Sequence, residues 1–412
     1  MTKRKVMIMN NRQPILSMTQ CSALRGLAII GIFLHNYCHW LGLAVKENEY
    51  TFTIDKCRRL LEVMTHPDIN LPVHLLSFFG HYGVPVFLFL SAYGLVMKYE
   101  GGFANGGTAN GVTANGVTTN GVTANGVTAN GGSANVGTAN VGSTPSPLAF
   151  LRYHYLKLFK MMVVGFVAFT MVDAITPGRW HYTPLTIIAQ LGMFNNIMPD
   201  PDHVIWPGPF WFFGLMFQLY IVYRLLLFRR GWKPLAILVV VCWLMQVFCD
   251  PEGETLNRVR YNFMGGMLPF ALGLLFARYG RELKQGAWVV ITLASALAVF
   301  FLSFNYQLWF WVPLFVCTFS VALVKILPTS FNERMAWVGS ISAALFVMHP
   351  ITRKIFIPIS RSGDVYTGLL LYIIASIAIA WLCRELMKKI PNPKLKVKKR
   401  LAPFKGKVKN EE

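Results

Sequence analysis

The sequence predicts an all-α polytopic membrane protein of about ten transmembrane helices, with both termini cytoplasmic. Three observations carry that expectation. Of the 412 residues, 54% are hydrophobic and 14% charged, where soluble domains average about 25% charged; too little polar surface is left to cover a water-soluble body of this size. Ten apolar segments approach the ~20 residues that cross a ~30 Å hydrocarbon core. Lys and Arg fall mainly in alternate loops, the distribution that fixes orientation in a bilayer.

The segments lie at about 23–44, 72–98, 155–176, 208–228, 234–249, 261–279, 286–303, 306–325, 335–358 and 366–386. The chain opens MTKRKVMIMNNRQ, a basic start, but the run that follows is near spanning length and carries Arg25, His35 and His39. It reads as a retained first span rather than a cleaved signal peptide. The stretch 183–197 is too short to span and too apolar for open water, so it is expected at the outer interface or re-entering. The segment ILPTS at 326–330 breaks a helix.

With the N-terminus inside, the inner segments hold Lys3, Arg4, Lys5 and Arg12, then Lys98, Arg152, Lys157 and Lys160, then Arg229, Arg230 and Lys233, then Arg278, Arg281 and Lys284, then Lys325 and Arg334. The outer side carries basic residues mainly in the 45–71 loop and at Arg353, Lys354 and Arg361. The organisation that follows is a cytoplasmic N-terminus (1–22), two spans (23–99), a low-complexity cytoplasmic loop (100–147), the remaining spans (148–387) and a basic tail (388–412), KKIPNPKLKVKKRLAPFKGKVK, against anionic headgroups. This topology accounts for the net charge of +21; no nucleic-acid motif accompanies it, so no nucleic-acid partner is expected.

The loop repeats TANGV-like units from Phe103 to Gly142. Their centre is Asn followed by Gly, and Val is the largest apolar side chain. That burial does not offset ~1–2 kcal/mol of backbone entropy per residue, so the tract reads as a spacer. The seven cysteines show no CxxC or metal spacing, and most sit in apolar segments as small hydrophobes. No metal is expected, and nothing supports a Cys57–Cys249 bridge.

Ionisable groups inside a membrane are costly and mark function. Among the acidic residues only Asp173 and Glu385 touch a span, near its end, so no carboxylate is expected at mid-depth and ion-coupled transport loses its usual equipment. Histidines are better placed: His35 and His39 in the first span, His81 in the second, His349 in the ninth. Arg25 marks the cytoplasmic boundary, and His35, ten residues on, lies ~15 Å deeper. A neutral imidazole there suits a general base taking a proton from a hydroxyl; a packing histidine bonded to a carbonyl is the other reading.

ALRGLAIIGIFLH (23–35) resembles the opening of the acyltransferase-3 family of bacterial integral-membrane acyltransferases. FFGHYGVPVFLFLSAYGL (78–95), FLRYHYLKLFK (150–160), PFWFFGLMFQLYIVYRLL (209–226), LPFALGLLFAR (268–278) and WVGSISAALFVMHP (337–350) resemble further segments of that family in the same order. The resemblance implies transfer of an acyl group, acetyl first among them, from cytoplasmic acyl-CoA (acetyl-CoA) to a hydroxyl of a surface polysaccharide or lipid-linked glycan. It also implies a place in the inner (plasma) membrane. A carrier or flippase that moves a glycan or lipid without chemistry is the rival class. Self-association into a homo-oligomer is neither required nor excluded.

Two departures bear on the site. The family pattern has ten residues between Arg and His, an eleven-step offset that returns to within ~20° of one helix face; here the offset is ten steps, ~80° away, with Asn36 at the family's histidine position. A π-bulge could correct the phase, or His39, about 40° from Arg25, could contribute. In the third span Lys157 takes the second basic place and His154 the first, with Arg152 two residues earlier.

The expected catalytic residues are therefore His35 and Arg25. Arg25, Arg152, Lys157 and Lys160 are expected to bind the polyanionic CoA head, with topology anchors as the other reading for the lysines. His349, Ser91, Gln218 and His39 are the substrate-side candidates: His349 at the outer mouth, Ser91 and Gln218 bonding between helices or lining a tunnel. Tyr220 and Trp211 read as packing or interfacial residues. His81, beside Gly80 and Gly83, reads as packing where small residues let helices approach.

Overall fold

The computed structural model describes residues 14–100 and 145–395. The repeat tract and most of the basic tail lie outside the described residues, as do the expectations made for them. The helices are α1 Met18–Cys38, α2 Ile54–Thr65, α3 Leu71–Phe79, α4 Gly83–Tyr99, α5 Pro147–Ile175, α6 Pro184–Leu191, α7 Pro201–Val204, α8 Trp211–Val222, α9 Trp232–Val247, α10 Glu254–Tyr261, α11 Phe263–Tyr279, α12 Gln285–Leu302, α13 Tyr306–Trp309, α14 Val312–Ile326, α15 Thr329–Arg361 and α16 Val365–Lys389. No strand occurs among the described residues.

Every expected apolar segment is helical. Seven helical stretches are long and apolar enough to cross a membrane, α3 and α4 counting as one from Leu71 to Tyr99, while α9, α11 and α14 are shorter apolar helices. The molecule is an all-α polytopic membrane protein. Large apolar side chains stand exposed on α9 (Ile237, Val240), α12 (Val290, Leu293, Leu297) and α16 (Leu370, Ile374), a surface suited to lipid and not to water. The 183–197 stretch contributes only the eight-residue α6 and a single 3₁₀ turn, Asn195–Ile197.

Helix α1 starts and stops earlier than its hydropathy implies. Ser17 accepts from the Gln20 amide at 3.1 Å and Gln20 Oε1 accepts from the Ser17 amide at 3.0 Å. This capping box satisfies two donors and starts the helix before the apolar run. The apolar residues Leu41 and Ala44, expected to finish the span, are instead buried, with Val45, in a loop that folds back over the helix end. The loop is tied by the Val45 amide to His74 Nδ1 (3.2 Å) and by the Phe52 amide to the Pro251 carbonyl (2.7 Å). His35 is therefore in the last turn of α1, nearer that end than mid-span.

The core around the site is α1 packed on α15, and α15 on α16. Two glycines allow the first contact: a Cβ on Gly26 would overlap the Met335 carbonyl, and one on Gly339 the Ser22 carbonyl. A third lies where the second span breaks. Residues Gly80–Tyr82 form a 3₁₀ turn between α3 and α4, and a Cβ on Gly80 would sit 2.6 Å from His35 Cβ. Small residues thus let the broken span press against His35.

At the Arg25 end, Glu100 and Pro145, which flank the undescribed tract, are held by consecutive residues of the π-helical turn Tyr223–Leu227 that continues α8. The Tyr223 hydroxyl donates to Glu100 Oε1 (3.0 Å) and Arg224 Nη2 to the Pro145 carbonyl (2.6 Å). Arg278 closes a bidentate, buried ion pair with Glu100 at 2.9 and 2.7 Å. All seven cysteines are free.

Candidate active site

His35 is 5% exposed and held on two sides. Its Nδ1 lies 2.8 Å from the Ser77 carbonyl. A carbonyl only accepts, so Nδ1 carries the proton and Nε2 of the neutral ring keeps its lone pair. Nε2 faces Glu47 Oε1 at 3.5 Å, and the other carboxylate oxygen takes a 2.8 Å hydrogen bond from His39 Nδ1. The His39 and His81 rings lie 5.2 and 5.6 Å from that of His35. The Ser77 hydroxyl, fully buried beside this group, has no hydrogen-bond partner among the described residues.

Glu47 was not among the sequence candidates. It follows the first span, outside any apolar segment, yet it is 2% exposed. The folded-back loop carries it inward, so a carboxylate does stand at the site. Burial alone would raise its pKa; the adjoining imidazoles of His35 and His39 and the His39 hydrogen bond favour the carboxylate, outweigh burial and hold it below the usual carboxylate range. At Glu49, two residues on, burial and then the neighbouring Glu47 push the carboxyl up to about 8. The available signal was a pair of glutamates in KENEY (46–50), just past the end of the first apolar segment, in a chain poor in acids.

The donor atoms of His35, His39 and Glu47 lie within 4.8 Å of one another, a set that one divalent ion would accept. Within the set His39 already donates to the carboxylate.

No π-turn interrupts α1, so the ten-step offset stands. Asn36 is not a base: its Nδ2 donates to the Ile32 carbonyl at 2.9 Å. Arg25 and His35 occupy neighbouring faces of α1, and both are buried. Near Arg25, on α4 and α5, lies a group of cations. Lys157 is buried and within electrostatic reach of Lys98, Arg25 and Lys160. Lys98 and Lys157 share the Tyr153 ring, at 4.7 and 5.9 Å from its centroid. Helix α5 starts at Pro147 behind a Ser146 cap, earlier than the apolar run, which is why these basic residues are helical.

The other candidates separate. Arg152 is exposed. Lys160 Nζ donates to the carbonyls of Met387 (3.2 Å) and Ile390 (2.6 Å), closing the end of α16. Gln218 donates to Asn262 Oδ1 (2.8 Å) and accepts from the Phe263 amide (2.8 Å), fastening the start of α11 to α8. Ser91 is buried in α4. His349 is fully buried, with Nδ1 3.0 Å from the Leu345 carbonyl and Nε2 without a partner among the described residues. It lies inside the bundle within electrostatic reach of His35 and Arg353.

A family model described as an acyltransferase domain, that of the acyltransferase-3 family, matches residues 21–385. The chain belongs to this family. No curated protein and no solved structure gives a match. The match spans α1 through most of α16, so the His35 cluster and the Arg25 cations both fall within it. Membership makes the protein a multi-pass membrane acyltransferase.

Proposed function

We propose that the protein transfers an acyl group, acetyl first among candidates, from acyl-CoA to a hydroxyl of a surface polysaccharide or lipid-linked glycan. The reading places it in the cell inner membrane with the Arg25 end cytoplasmic. The observation that carries it is the His35 arrangement: one ring nitrogen anchored on Ser77, the other presenting its lone pair beside an ionised Glu47.

In this reading Arg25, Lys157 and Lys98 hold the phosphates of the donor by charge-assisted bonds. His35 Nε2 removes the proton of the acceptor hydroxyl as its oxygen attacks the thioester carbonyl. Glu47 stabilises the imidazolium that forms, and His39 fixes the carboxylate. Collapse of the tetrahedral adduct breaks the C–S bond, and His35 returns its proton to the departing thiolate. General-base assistance of this kind is worth ~10²–10⁴-fold. No metal enters the reading.

The test is transfer of radiolabel from acetyl-CoA to glycan by the purified chain in nanodiscs. A deletion strain should lose acetyl substituents from its surface glycan by mass spectrometry. Unchanged glycan, together with no transfer by the purified chain, would overturn the assignment of donor and acceptor.

A further inference from the structure

Arg353 was expected near an outer loop, but it lies within α15 and is 5% exposed. Among the described residues it makes no ion pair. The next residue, Lys354, by contrast pairs with buried Asp173. The groups in direct contact with the Arg353 guanidinium are neutral. Nη1 donates to the Asn36 carbonyl at 3.3 Å and to Asn36 Oδ1 at 3.4 Å, and the guanidinium sits 4.9 Å from the Trp40 ring centroid. The polar groups that act on it most are Tyr372 and Arg361, neither of them a carboxylate.

A buried cation with no counter-charge is costly, and in a membrane protein it marks a site whose balancing charge arrives with a ligand. Both Asn36 hydrogen bonds are long. They would be exchanged readily for a shorter, charge-assisted pair with a phosphate or carboxylate.

The surroundings define the ligand further. Trp40, whose ring covers Arg353, also lines a cleft of about 860 Å³ with Asn70, Arg361, Asp364 and Tyr366. Trp40 and Tyr366 are each 39% exposed, offering ring faces of the kind that pack on sugar rings. Arg361 Nη2 donates to the Trp40 carbonyl at 3.0 Å, so one guanidinium stacks on the Trp40 ring and a second holds its main chain. The carboxylate of the cleft, Asp364, is engaged as the cap of α16, accepting from the Thr367 amide. Asn36 and Trp40 directly follow His35 and His39 in sequence, which connects the cleft to the base.

We propose that Arg353 and Arg361 form an anion subsite for the acceptor, so that the acceptor is an anionic glycan carrying a phosphate or carboxylate besides the hydroxyl that is acylated. The term acceptor rests on the acyl-transfer reading; the binding site does not.

The test uses the full chain in nanodiscs and measures binding, not transfer. The probes are methyl glucuronide (carboxylate), a polyprenyl-phosphate-linked glucose (phosphate) and methyl glucoside (neutral), titrated by microscale thermophoresis. At least one anionic probe should bind about tenfold or more tighter than the glucoside, and which one does so identifies the source of the charge. Arg353→Gln should abolish that preference while acetyl-CoA affinity stays unchanged. Arg361→Gln, at an exposed position, should reduce the preference and keeps the test decisive if Arg353→Gln does not fold. Equal binding of all three probes, or a preference that survives both substitutions, would overturn the proposal. An intact preference in a chain that transfers no acyl group would sink the acyl-transfer reading and leave the subsite standing.

Discussion

His35 Nε2 stands 3.5 Å from Glu47 Oε1 while Nδ1 is bound to the Ser77 carbonyl at 2.8 Å. The ring is fixed in one tautomer, and its remaining lone pair meets a carboxylate across a gap too long for a hydrogen bond. A proton taken up at Nε2 would close that gap. The arrangement stabilises the imidazolium more than the imidazole, which is what a base must do at the moment it accepts a proton.

His35→Ala should reduce acyl transfer by ~10²–10⁴-fold, and Glu47→Gln by at least ~10-fold, since the amide keeps the shape but not the charge. Asn36→Ala, at the position the family pattern would favour, should cost far less than His35→Ala. Steady-state transfer of labelled acetyl checks all three. An active His35→Ala variant beside an inactive Asn36→Ala variant would reverse the assignment.

The two third-span lysines should differ. Lys157→Gln removes a buried cation from the Arg25 group and should raise the KM for acyl-CoA about tenfold, consistent with loss of one charge-assisted contact. Lys160→Gln loses bonds to the end of α16 and should lower the melting temperature while the donor KM stays within about twofold. A donor KM raised equally by both substitutions would put Lys160 back in the donor site.

Gly339→Val should be severe although it touches no ionisable group. Its side chain would press on the Ser22 carbonyl and push α1 from α15, at a cost of ~1–3 kcal/mol or more. Fluorescence-detected size exclusion should show less folded protein. Gly286→Val, in open space at the start of α12, is the control that should behave as the parent.

Stability should fall on the alkaline side because of Glu49. Its carboxyl is raised from 4.5 to about 8 in the folded chain. Between those values the folded state holds a proton that the unfolded state has released, so stability declines as pH rises through the window. Glu47 has the opposite sign: its pKa is lowered, so its contribution is present above its ordinary value and lost as pH falls below it. From about pH 6.5, the ordinary histidine value, to about pH 8, melting temperature should fall more steeply in the parent than in Glu49→Gln. An unchanged slope would mean that another group titrates there.

Much of this architecture was legible because hydropathy reports burial in lipid directly. All ten apolar segments are helices, and Arg25, His35 and Lys157 lie inside the bundle as their positions implied. What hydropathy misread is Leu41 to Ala44, since an apolar loop folded onto a protein scores like the end of a span. That error hid Glu47, whose place depends on a tertiary return of the chain and not on its distance from a helix. It also set His35 too near mid-depth. Lys160 carried no local mark of its role and Gln218, read as bonding between helices or lining a tunnel, no mark of its partner, because Ile390 and Phe263 are distant in sequence and identified only by packing. Arg353 looked like a loop anchor because α15 continues through Pro350 and Pro358, where proline usually ends a helix.

The grip of Tyr223 and Arg224 on Glu100 and Pro145 has an evolutionary corollary. Both chain segments leaving the bundle are clamped at neighbouring points, so a change in the number of TANGV copies between them should leave the helices in place. The same clamp makes this junction the natural place to splice in a reporter domain while leaving the enzyme beneath it alone.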